Sequence, residues 1–276
     1  MAAHTRIVSV LMLAGIAATA SSDIFMLTGH SHFLYITNTE TWTTEVISMA
    51  DGESDWTFLG MTRNAEGRIF AHTSVNGVGS MYEIRGMRQD EPIARYLGTA
   101  HTRFNSIAFA NDRLFAVENQ GALDVIVELD PNTFTKINDF RPLSFAIGGM
   151  AYNDLTDEFV FADVTSRTFY AVSASDPESD LRVVGESGTN FGGNGVDILN
   201  GRMFGAFIRR NGEYHITLNE VDLSNGQLIE LSNLGLANLP AGTGFALWDS
   251  AIPSPNTIAL LGFGSVALLR RRRTRS

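Results

Sequence analysis

The chain has 276 residues, with 26 glycines, 7 prolines, no cysteine and a formal net charge of −10. Two terminal segments, residues 1–20 and 251–276, hold six of the 20 Lys and Arg residues and none of the 30 Asp and Glu residues, so residues 21–250 carry 14 basic and 30 acidic side chains, a net charge of −16. So acidic a surface repels phosphate backbones, and we expect no nucleic-acid binding. Without cysteine, disulfides, thiolate metal sites and cysteine nucleophiles are excluded.

Residues 1–20 have the pattern of a signal peptide. Arg6 precedes an apolar run from Ile7 to Ala18, and small residues occupy the positions before a cleavage site. We predict that signal peptidase cuts between Ala20 and Ser21. The alternative is a buried first helix, but the run is short, has no amphipathic pattern and is followed at once by polar residues. The sequence therefore predicts a domain that works outside the cytoplasm.

The middle of the chain contains a repeat. Five segments consist of a small residue followed by an apolar strand start, at intervals of 46, 43, 46 and 49 residues: Gly60-Met61-Thr62, Ser106-Ile107-Ala108, Gly149-Met150-Ala151, Gly195-Val196-Asp197 and Gly244-Phe245-Ala246. This period is typical of four-stranded propeller blades, whereas helical repeats would show a 3.6-residue amphipathic pattern.

Further strands follow the first four of these starts. A polar turn leads to a second strand, and a third strand comes next: Ser80–Ile84, Val125–Asp130, Thr168–Val172 and Thr217–Asp222. The fourth strands are less regular, with three candidates: Lys136–Phe140, Leu181–Gly185 and Gln227–Leu231.

The fifth start, at Gly244, leaves no room for three more strands before the C-terminal segment. Three strand-like segments at the other end of the domain match what is missing: Ile24–Leu27, His32–Ile36 and Thr44–Ser48. Pairing them with the last strand would close a ring and remove exposed sheet edges. We predict an all-β fold, a propeller of five four-stranded blades, which resembles NHL, Kelch and quinoprotein-like propellers in general pattern. A β-sandwich with similar turns is the alternative.

A metal site is the first chemistry to consider. His30 and His32 would project to the same face of a strand, and His72, His101 and His215 could join them in space. Two ligands do not make a site, and turn or surface roles account for each histidine. We therefore predict no metal and no cofactor.

Carboxylates are the second candidates. Five-bladed rings in other families carry glycan-cleaving acid and base pairs near the central channel, and Glu118, Asp163 and Asp197 sit at strand positions where such groups could converge. Solvated turns and strand ends are the simpler interpretation. The acidic loop Asp176–Asp180 lacks the order of an EF-hand, and Gly192–Gly195 has the pattern of a turn before a strand. We find no nucleophile elbow, P-loop or dinucleotide fingerprint and assign no catalytic residue.

The C-terminal segment, residues 251–276, has three parts in a fixed order. Pro253-Ser254-Pro255 comes first, then the apolar run Ile258–Leu269, then the four arginines Arg270, Arg271, Arg272 and Arg273. Twelve residues span about 18 Å as a helix, short of a hydrocarbon core of about 30 Å, so a transient membrane anchor is expected. The arginines would remain in the cytoplasm, leaving the domain outside.

This order of parts resembles the PEP-CTERM sorting signal. The resemblance covers residues 252–276 and departs from the family pattern at Ser254, where the family usually has glutamate. It implies that an exosortase-type membrane protease cleaves the tail and transfers the protein to the cell surface. It also implies an association with exopolysaccharide. A plain C-terminal membrane tether is the alternative.

These features favour an exported, surface-sorted, non-catalytic binding or matrix protein, with extracellular polysaccharide as the expected partner. The rival from another class is a secreted glycan hydrolase or lyase that uses carboxylates near the propeller channel. A structural surface protein without a small ligand is a third hypothesis. Fold alone does not select among them.

The two terminal segments give the first testable prediction. Protein recovered from the surface of the cells that make it should begin at Ser21 and should lack the arginine-rich end, as shown by intact mass and both terminal sequences. An intact tail would contradict sorting and would indicate a membrane tether.

Overall fold

The computed structural model describes residues 24–30, 33–48, 56–75, 78–85, 93–100, 102–120, 123–189, 191–211, 213–236 and 243–249. The predicted leader and sorting tail, with their cleavage and sorting residues, lie outside this part of the chain. Within the described ranges, no helix is long and apolar enough to cross a membrane.

Twenty strands make up the described fold. In chain order they are β1 (Ile24–His30), β2 (Phe33–Asn38), β3 (Thr44–Ser48), β4 (Trp56–Arg63), β5 (Ile69–Val75), β6 (Val78–Arg85), β7 (Ile93–Thr99), β8 (Phe104–Ala110), β9 (Arg113–Asn119), β10 (Asp124–Leu129), β11 (Lys136–Leu143), β12 (Ile147–Asn153), β13 (Glu158–Asp163), β14 (Thr168–Ser173), β15 (Arg182–Glu186), β16 (Phe191–Leu199), β17 (Arg202–Asn211), β18 (Glu213–Val221), β19 (Leu228–Leu236) and β20 (Thr243–Asp249).

These strands form five antiparallel sheets of four strands each, which are the blades of a propeller. Blade A has the order β20-β1-β2-β3, and blades B, C, D and E follow along the chain as β4 to β7, β8 to β11, β12 to β15 and β16 to β19. The innermost strands β4, β8, β12, β16 and β20 each contact the next, and β20 contacts β4. The ring is therefore closed, and the predicted five-bladed propeller is confirmed.

Blade A joins the two ends of the domain. Strand β1 pairs antiparallel with β20, from Ile24 opposite Asp249 to His30 opposite Thr243. The rings of Phe25 and Trp248 lie 5.2 Å apart across this pair. As the sequence predicted, the last strand of the domain completes the blade that the first three strands begin.

Several strand boundaries differ from the sequence prediction. Strand β7 was not predicted, because an outermost strand buries little and shows a weak apolar pattern; Tyr96 within it is 54% exposed. Strand β2 is described from Phe33, and His32, which was predicted as its first residue, lies outside the described residues. Residues 192–195, interpreted as a turn, lie inside β16, where the register shifts between Phe191 and Asn194. That bulge explains how a glycine-rich segment can belong to a strand.

The glycine at the start of the repeat has a packing role. A Cβ on Gly60 would lie 2.9 Å from the backbone nitrogen of Ile107, on the next inner strand. One on Gly244 would lie 2.6 Å from Cγ of Met61, again on the next inner strand. The inner strands approach most closely at the centre of the ring, so a side chain at these positions would push the blades apart.

Hydrophobic cores fill all five junctions between neighbouring blades. At the junction of blades C and D, for example, Phe115 and Phe159 pack edge to face with ring centroids 4.7 Å apart. Each blade therefore packs against both of its neighbours through apolar side chains.

The ring has two faces, defined by the turns that reach them. On the hairpin face, the innermost strand turns into the second in blades B to E, and in blade A the two ends of the domain lie at this place. On the connection face, the outermost strand of one blade leads to the innermost strand of the next, and the second strand of each blade turns into the third. Loops on a rigid scaffold commonly carry binding groups, so both faces are candidates.

Substitution in β1 tests the closure of the ring. Leu27 is completely buried between blades A and B, so Leu27→Ala should lower the free energy of unfolding by about 2–5 kcal/mol, measured by urea denaturation. The control is Val46→Ala on β3, which is 52% exposed and should change it by less than about 0.5 kcal/mol. Equal effects of the two substitutions would contradict the placement of β1 in the ring.

Candidate binding face

Asp124 is a buried carboxylate on the connection face, at the junction of blades C and D. Its Oδ2 accepts a hydrogen bond of 2.6 Å from the backbone nitrogen of Ile147, which begins the inner strand of blade D. Its Oδ1 accepts from the side-chain amides of Asn119 at 3.0 Å and Asn105 at 3.4 Å. Burial raises the pKa of Asp124, and these hydrogen bonds oppose the rise. Asp124 thus links blade C to blade D through its carboxylate, and burial makes the ionised form of that carboxylate less favourable.

Asp163, a predicted candidate, lies beside the same junction. It ends β13 opposite Ile147 on β12, so Asp163 and Asp124 both adjoin Ile147. Its two carboxylate oxygens accept from the backbone nitrogen of Thr165 at 2.8 Å and from Oγ of Ser166 at 2.6 Å. The side chain caps the turn that leads into β14.

Glu118, the second predicted candidate, lies near the end of β9 on the same face. Its Oε2 accepts hydrogen bonds from Nε2 of Gln120 at 2.8 Å and from Nζ of Lys136 at 3.0 Å. The ion pair with Lys136 is largely shielded, because the Glu118 side chain is only 10% exposed. Glu118 therefore holds strand β11 to β9 within blade C.

Asp197, the third candidate, lies apart from the others, near the hairpin face on inner strand β16. Its Oδ1 accepts from the backbone nitrogen of Ile198, and its Oδ2 accepts from that of Leu247 on β20, both at 2.8 Å. Burial raises the pKa of Asp197, and the charge of Arg63 opposes the rise. The bond to Leu247 links blade E to blade A.

Thr62 shows that the link between Asp197 and Leu247 is structural. Thr62 occupies the place of Asp197 in the repeat, and its Oγ1 accepts from the backbone nitrogen of Phe109 on the next inner strand at 3.1 Å. Phe109 has the same place in its blade as Leu247 in blade A. Asp197 and Thr62 are therefore equivalent links between neighbouring blades.

The three predicted carboxylates thus belong to three different blades, and among the described residues no hydrogen bond joins any two of them. Asp124, which the sequence did not single out, is the one that adjoins Asp163. No pattern in the sequence identifies Asp124 as a candidate. It stands at the start of an apolar strand like the others, and its partner Ile147 is 23 residues away.

The histidines do not gather. His30 ends β1 and is 2% exposed, and burial lowers its pKa. Neither of its ring nitrogens has a hydrogen-bond partner among the described residues. His72 lies in a different sheet against the ring of Phe104, and burial lowers its pKa to about 3. His215 is partly buried on β18, while His32 and His101 lie outside the described residues. In the described part of the chain, no three His, Cys, Asp or Glu side chains are placed to hold a metal.

The acidic loop Asp176–Asp180 is closed by its own hydrogen bonds. The backbone nitrogen and Oγ of Ser179 donate to the carbonyl of Asp176 at 3.0 Å and 2.7 Å. Nη1 of Arg141 donates to the carbonyl of Ser179 at 3.0 Å. These contacts support the interpretation of this loop as a turn.

A repeated ion pair, which the sequence analysis missed, runs along the hairpin face. An arginine at the start of the second strand binds a glutamate on the third strand and lies over a phenylalanine two residues further on. The three sets are Arg68, Glu83 and Phe70; Arg113, Glu128 and Phe115; and Arg202, Glu220 and Phe204. In the sequence, these three second strands share an Arg-x-Phe pattern, and glutamate follows 15 or 18 residues after the arginine.

Two arginines on the connection face have no such partner. Arg103 immediately precedes inner strand β8, and Arg167 lies in the turn between β13 and β14. Both side chains are exposed, and neither forms an ion pair with a described residue. Within the described residues, these two guanidinium groups therefore have no carboxylate partner.

A groove of about 280 Å³ lies on the hairpin face between blades D and E. Leu155 and Leu223 line it together with Glu158 and Arg182. The guanidinium group of Arg182 donates three hydrogen bonds to the carboxylate of Glu158, at 2.8, 2.9 and 3.1 Å. Its charged groups are thus already paired.

Comparison with known proteins supports the fold and goes no further. No protein-family model and no curated protein matches the chain. Among solved structures, a chain of a nidogen/laminin complex is similar with a TM-score of 0.55 and 9% identity, over 82% of this chain and 99% of that one. A protein of unknown function from Bacteroides caccae gives a TM-score of 0.44 and 13% identity, over 82% and 99%. At 9% identity, the likeness to the nidogen/laminin chain shows a shared fold alone.

The link made by Asp197 can be tested by substitution. Asp197→Ala leaves the buried N–H groups of Leu247 and Ile198 without their acceptor and should lower the free energy of unfolding by about 1–3 kcal/mol for each group. Asp197→Thr should be milder, since Thr62 makes the equivalent link with a hydroxyl. Denaturant unfolding measures both. Equal losses for the two variants, or no loss for Asp197→Ala, would contradict the structural role.

Proposed function

We propose that this protein is exported and displayed on the cell surface, where its ring binds extracellular polysaccharide without cleaving it. Signal peptidase would remove residues 1–20, and an exosortase-type membrane protease would process the tail at Pro253-Ser254-Pro255. The ring would then act as a rigid scaffold that presents its loops to the polymer.

The hydrogen bonds of the predicted carboxylates support the part of this proposal that excludes cleavage. Glycosidases need two carboxyl groups facing one glycosidic bond, separated by about 5–10 Å. Glu118, Asp163 and Asp197 instead lie in three blades, and each accepts hydrogen bonds from donors in its own surroundings. To act on a substrate, two of these carboxylates would have to give up their present hydrogen bonds. That would break the turn capped by Asp163, the ion pair of Glu118 or the link made by Asp197. These contacts therefore favour a binding role over a catalytic one.

One observation favours the rival, a secreted glycan hydrolase or lyase. Asp124 and Asp163 adjoin the same residue, Ile147, and burial raises the pKa of Asp124, which is what a general acid requires. Against this, both oxygens of Asp124 already accept hydrogen bonds. The hydrolase or lyase hypothesis therefore requires Asp124 and Asp163 to lose hydrogen bonds within the protein before they can contact a substrate.

Binding and cleavage are measured with the same protein. The purified full chain should co-sediment with extracellular polymer from the cells that produce it, and should release no reducing ends or unsaturated products from a polysaccharide panel. Failure to bind would remove the polysaccharide from the proposal. Cleavage abolished by Asp124→Asn, Asp163→Asn or Glu118→Gln, but not by Glu45→Gln on the exposed strand β3, would establish the rival.

A further inference from the structure

Both ends of the domain leave the ring at one place. Ile24 and Asp249 are paired across β1 and β20 on the hairpin face. The carbonyl of Ile24 also accepts hydrogen bonds from the backbone nitrogen and Oγ1 of Thr39, at 3.0 Å and 2.8 Å. The points where the chain enters and leaves are thus held firmly, and the tail continues from the hairpin face of blade A.

The segment between the ring and the apolar tail is short. Eight residues, 250–257, separate Asp249 from Ile258, and two of them are proline. Fully extended, this segment bridges about 30 Å. Cleavage and transfer near Pro253 would make it shorter still. The membrane or surface component to which the tail is attached would therefore lie close to the hairpin face.

The ring cannot turn over on so short a segment. Strand β20 is the innermost strand of blade A, so the segment would have to cross the three outer strands, about 14 Å, before it reached the rim. It would then have to pass along the height of the ring, about 23 Å for a seven-residue strand. That path of about 37 Å exceeds the reach of the segment.

We propose that the hairpin face lies toward the cell surface, and that the connection face points outward and binds carboxylate-bearing polysaccharide through Arg103 and Arg167. This inference rests on the proposed export and tethering. It assigns the binding role to one face and names the chemistry of the partner.

The distribution of arginine partners supports the chemistry. On the hairpin face, Arg68, Arg113 and Arg202 are bound by glutamates of their own blades. Arg103 and Arg167, on the connection face, are exposed and form no ion pair with another described residue. A guanidinium group binds a carboxylate through two parallel hydrogen bonds, which suits acidic sugars. Residues 21–250 carry a net charge of −16 and as a whole repel an acidic polymer, so the attraction comes from these two guanidinium groups alone.

The orientation is tested by cysteine labelling, for which a chain without cysteine is well suited. Ser144→Cys lies on the connection face, between β11 and β12, and Thr156→Cys lies on the hairpin face, between β12 and β13; both positions are exposed. A bulky, membrane-impermeant maleimide should modify Ser144→Cys several-fold faster than Thr156→Cys on intact cells. In the detergent-solubilised full chain the two rates should be similar.

Each outcome has a distinct meaning. Equal rates on intact cells, or faster labelling at Thr156→Cys, would overturn the orientation while leaving export in place. Labelling of neither cysteine until the cells are broken would overturn the proposed export itself.

The binding role of the face is tested by charge removal. The full chain with Arg103→Gln and Arg167→Gln should bind carboxylate-bearing polymer several-fold more weakly, and its binding should depend less on salt. Arg95→Gln on the exposed outer strand β7 is the matched control and should bind normally. Unchanged binding by the double variant, or an equal loss in the control, would overturn the assignment of these two arginines.

Discussion

Pairing of β1 with β20 is the contact on which the rest of the structure depends. Without it, the five sheets would form an open arc with an unpaired strand at each end, and such edges favour aggregation. With it, residues 24–30 and 243–249 become neighbours in blade A, and every blade is packed between two others. The pairing joins segments that are far apart in sequence, so it costs chain entropy. Burial of apolar side chains along both strands must offset that cost. Leu27 and Leu247, both completely buried, supply part of that burial.

The narrow centre of the ring imposes the second constraint. Inner strands come so close that Gly60 and Gly244 have no space for a side chain, while polar side chains at neighbouring positions reach the backbone of the next blade. Thr62, Ser106 and Asp197 make such links, to Phe109, Met150 and Leu247. A backbone N–H buried there would otherwise lack an acceptor, which is costly. The same constraint thus explains the repeated glycine and the buried carboxylate of Asp197.

The sequence predicted the features that repeat and missed those that depend on a distant partner. A small residue in each inner strand, glycine in four blades and Ser106 in the other, and the surplus of three N-terminal strands were enough to predict five blades and the way the ring closes. Strand β7 was missed because its exposed residues carry little apolar pattern. The carboxylates could be recognised as candidates, but their roles depend on partners as distant in sequence as Leu247 is from Asp197, 50 residues away. Spacing within one strand carries no information about such a partner.

Ring closure also limits how the protein can meet its surroundings. Because β20 is both the last strand and the innermost one, the chain leaves the domain near the ring axis rather than at the rim. A short tether from that position fixes the direction of the axis, whereas a tether of the same length from an outer strand would let the ring tilt onto its side. The closing strand therefore completes blade A. In the proposed tethered state, it would also decide which set of loops a partner can reach.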